Sequence, residues 1–188
     1  MPPLDSPNVP APPSPAEGMP VEHCLRNGQR VTLRPIRPSD AGLERCFLAA
    51  LSEESRYLRF HKWVPAPSDK LVHFLTDIDH DRHVAYVCTA TSADGGERIV
   101  GEGRYIVLEP DRTACEFGIV IADDWHKSGI AGLLMQALIE TARARGVKQM
   151  LGVVLRSNRS MLRFARALGF ESIAEPEDRD TVHVLKRL

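Results

Sequence analysis

Residues 115–132 read CEFGIVIADDWHKSGIAG: an apolar run carrying one acid, a polar turn, and a restart in small residues. This is the pattern of a strand, a loop and the first turn of a helix. At such a junction the first backbone N–H groups of the helix lack intrahelical acceptors, and the positive end of the helix dipole lies at the same point. The loop is therefore suited to hold an anion. Gly129, Ala131 and Gly132 add almost no side chain there, which lets a group as bulky as a diphosphate approach the amides. The stretch has neither the Gly-Lys-Ser/Thr of a P-loop nor the three-glycine spacing of a dinucleotide fold.

Working outward, the period of the pattern fixes the neighbours. Upstream, His83 to Thr91 and Glu97 to Leu108 alternate like strands, joined by Asp94-Gly95-Gly96 and followed by a turn at Pro110-Asp111. With Thr113 to Ile121 they predict three consecutive antiparallel strands. Downstream, Ile130, Leu133, Leu134, Ala137, Leu138 and Thr141 form one face of a helix that Gly146 stops. Lys148 to Leu155 is then a buried strand, and reaching it through a helix makes it parallel to the strand at Thr113. Ser157 or Asn158 caps a last helix through Leu168, and strands follow at about Phe170 to Ala174 and Thr181 to Lys186. Toward the N-terminus, Arg30 to Ile36 reads as the first strand. Helices follow from Pro38 to about Leu51, from Ser52 to Phe60 and from Ser68 to Thr76, placed to wall a substrate cleft.

Residues 1–20 concentrate proline among Ser, Ala and Gly and are expected to form a disordered tail. Residues 21–188 are expected to form one domain. A net charge of −1 with 26% charged residues excludes a nucleic-acid-binding polyelectrolyte, so a substrate must be recognised locally. Cys24, Cys46, Cys88 and Cys115 are scattered without CxxC spacing, which predicts free thiols in a reducing compartment. No apolar run nears the roughly 20 residues of a membrane span, and a soluble cytoplasmic protein is expected. Oligomeric state is not legible.

Glu116 shares a strand face with Gly118 and Val120, while Cys115, Phe117, Ile119 and Ile121 point the other way. An acid on so apolar a strand is either paired with a cation or raised in pKa, which suits a general base. A strand-end glutamate that is exposed and inert is the alternative, and position alone does not choose. Asn158 is either a plain helix cap or a cap that also orients a ligand amide. Arg159, Arg163 and Arg166 read as a solvated basic face. His126 and Lys127 are better placed for a phosphate. His61, His73, His80 and His83 lack metal-ligand spacing, and no metal is assigned.

These segments resemble the GNAT superfamily of N-acetyltransferases. The family signature Q/R-x-x-G-x-G/A is matched by His126-Lys127-Ser128-Gly129-Ile130-Ala131, and Asn158, Met161, Leu162 and Gly169-Phe170 match a later segment in register. LSEESRYLRF at 51–60, TDIDHDRHVAYV at 76–87 and CEFGIVIADDWH at 115–126 are similar to Pat-type protein lysine acetyltransferases. The resemblance implies an α/β (α+β) GNAT fold: a mixed, mostly antiparallel sheet of six to seven strands, splayed between the fourth and fifth and flanked by helices. It implies acetyl-CoA in the split, its pantetheine arm along Ile119, Val120 and Ile121. The diphosphate would rest on the loop from His126 through Lys127, Ser128, Gly129, Ile130 and Ala131 to Gly132.

The same resemblance gives Glu116 the role of general base, with direct transfer to an amine, most simply a protein lysine. A small-molecule amine, or a silent CoA-binding module, is the competing reading. An N–H near Ile119 would hold the carbonyl oxygen, and Cys115 is expected to face away from Glu116. Two positions depart from the pattern: His126 stands where Gln or Arg is usual, and Ala165 where many members place a tyrosine as acid for the leaving thiolate.

Overall fold

The three antiparallel strands expected around the Asp94-Gly95-Gly96 turn form the middle of the sheet. They are β3 (His83–Thr91), β4 (Glu97–Val107) and β5 (Ala114–Ile121). The structure is a computed structural model and describes residues 19–63, 65–110, 112–173 and 180–188. The Pro-rich tail up to residue 18 therefore lies outside the described residues, as do Asp111 of the expected turn and Ala174 of the expected strand.

Around this centre are β1 (Val21–Cys24), β2 (Arg30–Pro35), β6 (Gln149–Leu155), β7 (Glu171–Ile173) and β8 (Thr181–Arg187), in the order β1-β2-β3-β4-β5-β6-β8-β7. Every pairing is antiparallel except β5 with β6, which is parallel. Among the described residues the sheet thus has eight strands, one more than the upper end of the expected count. The addition is β1, a short, half-exposed edge that pairs Val21 with Leu33 through Cys24 with Arg30. Its hairpin turns at Asn27-Gly28, with Gly28 at φ 80° and Leu25 N–H donating to Gln29 C=O at 2.8 Å.

Helices α1 (Ala41–Ala50), α2 (Glu53–Phe60) and α3 (Asp69–Thr76) cover one face of the sheet, and α4 (Ile130–Ala144) and α5 (Arg159–Ala167) belong to the other. The alternation of β3 sorts its residues between two cores. Val84, Tyr86 and Cys88 pack with Leu134 and Leu138 of α4, whereas Ala85 and Val87 pack with Phe47, Leu48 and Leu75. Before α1, a 3-10 turn (Pro38–Asp40) buries Asp40, which pairs with both terminal nitrogens of Arg34 at 2.7 and 2.9 Å. Ser52 caps α2 by accepting from Ser55 N–H at 3.1 Å, and Ser68 caps α3 likewise from Leu71 N–H. Among the described residues no helix is long and apolar enough to cross a membrane.

Candidate active site

The parallel pairing of β5 and β6 covers three rungs, Ala114 with Gln149, Cys115 with Met150 and Glu116 with Leu151, and then stops. Phe117, the next residue, lays its ring against Gly152 of β6, where even a Cβ would overlap it. The same ring meets Phe170 with centroids 5.2 Å apart. A large ring seated at the first unpaired rung keeps the strands apart, and a cavity of about 910 Å³ extends past this point.

Strand alternation decides which main-chain groups face the opening. Thr113 C=O accepts from Lys148 and Gln149 N–H at 2.7 and 3.1 Å, whereas Ala114 C=O accepts from Leu108 on the β4 side and Ala122 N–H donates to Val100 there. Odd-numbered residues of β5 therefore turn their N–H and C=O toward β6, and even-numbered ones toward β4. Past the last rung, Ile119 and Ile121 present their main chain to the split. Val120 lines the cavity with its main chain engaged on β4. Ile121 C=O is met by His126 Nε2 at 3.2 Å.

The loop after β5 passes through a 3-10 turn (Asp123–Trp125) and reaches α4 with two residues at positive φ, Lys127 at 63° and Gly129 at 101°. Ser128 Oγ accepts weakly from Ile130 N–H at 3.4 Å. The amides of Lys127, Gly129 and Ala131 have no acceptor among the described residues. A Cβ added at Gly129 or Gly132 would meet nothing within 4 Å, so open space lies directly over these donors. Unpaired amides, the helix dipole and bare space form a cradle that fits a diphosphate. A second cavity of about 860 Å³ opens on the α4 side of this loop, with Arg26, Lys127, Arg143 and Lys186 in its walls.

Glu116 is exposed and lines the first cavity. The expected pairing with a cation is not observed, since no ion pair to Glu116 forms among the described residues; of the two sequence readings, the structure has the exposed strand acid. Its face is also less apolar than the sequence suggests. The Arg59 guanidinium of α2 lies on Gly118, with Nη1, Cζ and Nη2 at 2.7–2.9 Å from where a Cβ would stand. Opposite Gly118 on β4 is Arg104, and opposite Val120 is Glu102. Arg104 Nε donates to Glu102 Oε1 at 2.6 Å, its Nη2 donates to Leu75 C=O at 3.1 Å, and its Nη1 meets His83 Nε2 at 2.7 Å. Burial and then Arg104 push the His83 pKa down to about 4, so the ring is neutral.

The Glu44 carboxyl, 0% exposed on α1, and Glu102 Oε2 are buried where no other donor among the described residues reaches them, so each can be satisfied only by a proton held between the two. Burial first, and Glu102 next, raise the Glu44 pKa well above the carboxylate range. Two facing carboxyls in a dry site resolve their repulsion by sharing one proton, here held on Glu44. Burial opposes charge on Glu102 too, but Arg104 outweighs it and keeps that group ionised.

The Acetyltransferase (GNAT) domain model matches residues 30–171. The chain belongs to the GNAT acetyltransferase family. Acetyltransferase PA5475 of Pseudomonas aeruginosa is 36% identical over 164 residues, covering 87% of this chain and 86% of that protein. Acetyltransferase Pat of Mycolicibacterium smegmatis is 28% identical over 150 residues, which is 80% of this chain but 44% of Pat, so the chain spans less than half of that relative. The crystal structure of the GNAT domain of S. lividans PAT has the same fold, with a TM-score of 0.81 at 24% identity over 90% of this chain and 97% of the other.

As a GNAT acetyltransferase the chain is an acyltransferase whose cosubstrate is acetyl-CoA, and its remaining candidate residues can be placed against that chemistry. Asn158 caps α5: its Oδ1 accepts from Met161 N–H at 3.0 Å and from Ser160 Oγ at 2.9 Å, while the residue lines the cavity. Ala165 is buried in the α5 core, which leaves no polar group at the tyrosine position. Cys115 is fully buried on the face opposite Glu116, and burial pushes its thiol up to about 12. A thiol so held is no nucleophile at neutral pH. Arg159, Arg163 and Arg166 are exposed. The sequence reading missed Arg59, Arg104, Glu102 and Glu44. The signal present was Glu102-Gly-Arg104, alternate polar residues that ordinarily mark a solvent-facing side of a strand.

Proposed function

We propose that this GNAT acetyltransferase transfers the acetyl group of acetyl-CoA directly to a primary amine, with a protein lysine as the acceptor and Glu116 as the general base. One observation carries the reading: the exposed Glu116 carboxylate lines the same cavity onto which the open rungs at Ile119 and Ile121 face, with the cradle loop at its edge. The amides of Lys127, Gly129 and Ala131 would hold the coenzyme diphosphate, with Gly132 leaving it room. The Ile119 main chain and the Ile121 N–H would hold the pantetheine arm, the Ile121 carbonyl being met by His126. Bound acetyl-CoA supplies a thioester whose carbonyl carbon the amine nitrogen attacks.

Glu116 supplies what the amine lacks. A lysine with a reference pKa of about 10.4 is neutral in only about one molecule in a few thousand at pH 7. Glu116 removes the ammonium proton, directly or through one water, so that a lone pair is available. The N–H of Ile119 faces the split and donates to the carbonyl oxygen as negative charge develops there. With the Cys115 thiol buried and protonated, the acyl group passes directly from sulfur to nitrogen without a covalent enzyme intermediate: the C–N bond forms, the C–S bond breaks, and the CoA thiolate leaves and takes its proton from solvent.

Calorimetric titration with acetyl-CoA, run beside thiol release on a panel of amines, tests this reading. Binding together with amine-dependent thiol release is expected. Binding without release on any amine would make the chain a CoA-binding module instead.

A further inference from the structure

Arg59 occupies an unusual place beside the proposed base. Its helix is tied at the other end to the loop after β5, where Asp123 accepts from Ser52 N–H at 2.8 Å, Ser52 Oγ at 2.9 Å and Ser55 Oγ at 2.6 Å. That tether sets α2 across β5 and lays the guanidinium on Gly118, two residues from Glu116 on the same face. The cation and the acid are therefore neighbours in one wall of the cavity, and the Arg59 side chain retains 15% exposure.

The charge beneath Arg59 does not balance. Glu102 already has a close buried partner in Arg104 at 2.6 Å, while Arg59 Nη2 makes only a long ion pair with the same oxygen at 3.7 Å, beyond hydrogen-bond length. Arg59 Nε is buried without an acceptor. Glu44 holds a proton and His83 is neutral, so two guanidiniums face one carboxylate. A second arginine is not needed to neutralise Glu102, and its desolvation is costly unless something further compensates it.

The cavity wall repeats the imbalance. Arg59, Lys62 and the acid Glu116 line it, while Arg104, which also borders it, is already paired with Glu102; Leu58, Phe74 and Ile106 supply apolar surface, with Phe74 52% exposed. A bare ammonium on an apolar stem would gain Glu116 and be opposed by the cations. A molecule carrying an amine and a nearby anion would satisfy both.

Resting on the transferase reading above, we infer that Arg59 is an acceptor-recognition residue: the acceptor carries a carboxylate close to its reacting amine, and the Arg59 fork binds that carboxylate while Glu116 takes the amine proton. A planar guanidinium is matched to a carboxylate, and the Gly118 backbone beneath it holds the plane in place. The carboxylate has two sources, the α-carboxylate of a free amino acid or an acidic side chain next to a lysine in a protein.

Matched acceptor pairs test the inference on the full chain. One arm compares free amino acids with their carboxamides. The other compares lysine peptides with Asp or Glu beside the lysine against the same peptides with Asn or Gln. The readout is the ratio of kcat/KM between the two members of each pair, so a general loss of activity cancels. In the wild type the carboxylate member of at least one arm is favoured about 10- to 100-fold, the range of a charge-assisted hydrogen bond, and the arm identifies the source. Arg59→Gln brings that ratio toward one, and Arg59→Lys, which keeps charge without the fork, leaves an intermediate ratio. Gly118→Ala, which displaces the guanidinium while retaining Arg59, lowers the ratio as well and provides a second test should Arg59→Gln not fold. Wild-type ratios near one in both arms, or a ratio that survives these variants, would overturn the inference while leaving transfer to amines intact. Acetyl-CoA binding with no thiol release on any acceptor would instead remove the transferase reading, and this inference with it.

Discussion

Gly129 offers a clean perturbation because folding and coenzyme binding make different demands on it. Its φ of 101° and ψ of −9° lie where an L-residue is strained, yet an added Cβ would meet nothing within 4 Å. Gly129→Ala therefore costs strain without collision, about 1–2 kcal/mol. For a chain of this size that is a fall in Tm of about 2–8 °C. Gly129→Glu has the same backbone cost and adds a carboxylate over the amides of Lys127, Gly129 and Ala131. A unit charge about 5 Å from a phosphate charge, at an effective dielectric near 20, costs about 3 kcal/mol, on the order of 100-fold in affinity. Thermal melts and acetyl-CoA titrations of both variants separate the terms: similar Tm losses, but a much larger loss of affinity in Gly129→Glu that shrinks as salt is raised. If Gly129→Glu binds acetyl-CoA as tightly as Gly129→Ala, the loop is not the diphosphate cradle.

The buried acid pair and the split give two further tests. Because the folded pKa of Glu44 is raised from the ordinary 4.5, its stabilising effect is complete below that value. The effect declines as pH rises toward the folded pKa, by at most about 1.4 kcal/mol per pH unit. Glu44→Gln keeps a donor for Glu102 but does not titrate, so its Tm should fall less than the wild type's as pH is raised from about 5 to 8; parallel curves would refute the shared proton. At the wedge, Gly152→Ala puts a Cβ 2.7 Å from Phe117 Cζ and closer to Cε1, an overpacking cost of about 1–3 kcal/mol. A lower Tm with weakened acetyl-CoA binding is expected in melts and titrations, and an unchanged protein would mean that Phe117 does not hold the strands apart.

The parts of the site legible in the sequence are those whose chemistry is local. The strand, loop and helix start from Ala114 to Gly132 were readable because an apolar run, a polar turn and a restart in small residues leave few other local structures open. The parallel strand at Lys148 followed from the helix that precedes it. What was not legible depends on partners distant in the chain. Glu102 and Arg104 alternate with Gly101 and Gly103 as a solvent-facing strand would, yet α1 to α3 cover that face and turn it into a buried charge layer. The apolar neighbours of Glu116 could not decide between a buried and an exposed acid; the sheet opens just beyond it and leaves it exposed. Arg59 lay unremarked in SEESRYLRF, since only the fold brings it onto Gly118. The eighth strand was missed although Asn27-Gly28 marks its hairpin, because four half-exposed residues carry little pattern.

The central claim is that the Glu116 carboxylate removes the proton from the acceptor amine, and the pH–rate profile of Glu116→Gln tests it most directly. The reaction is thiol release at saturating acetyl-CoA, followed from neutral pH to about pH 10. The account predicts unchanged acetyl-CoA affinity, a rate reduced about 100-fold or more at neutral pH, and recovery as pH approaches the pKa of the amine, which then loses its proton unaided. A Glu116→Gln variant with wild-type rate at neutral pH would contradict the account.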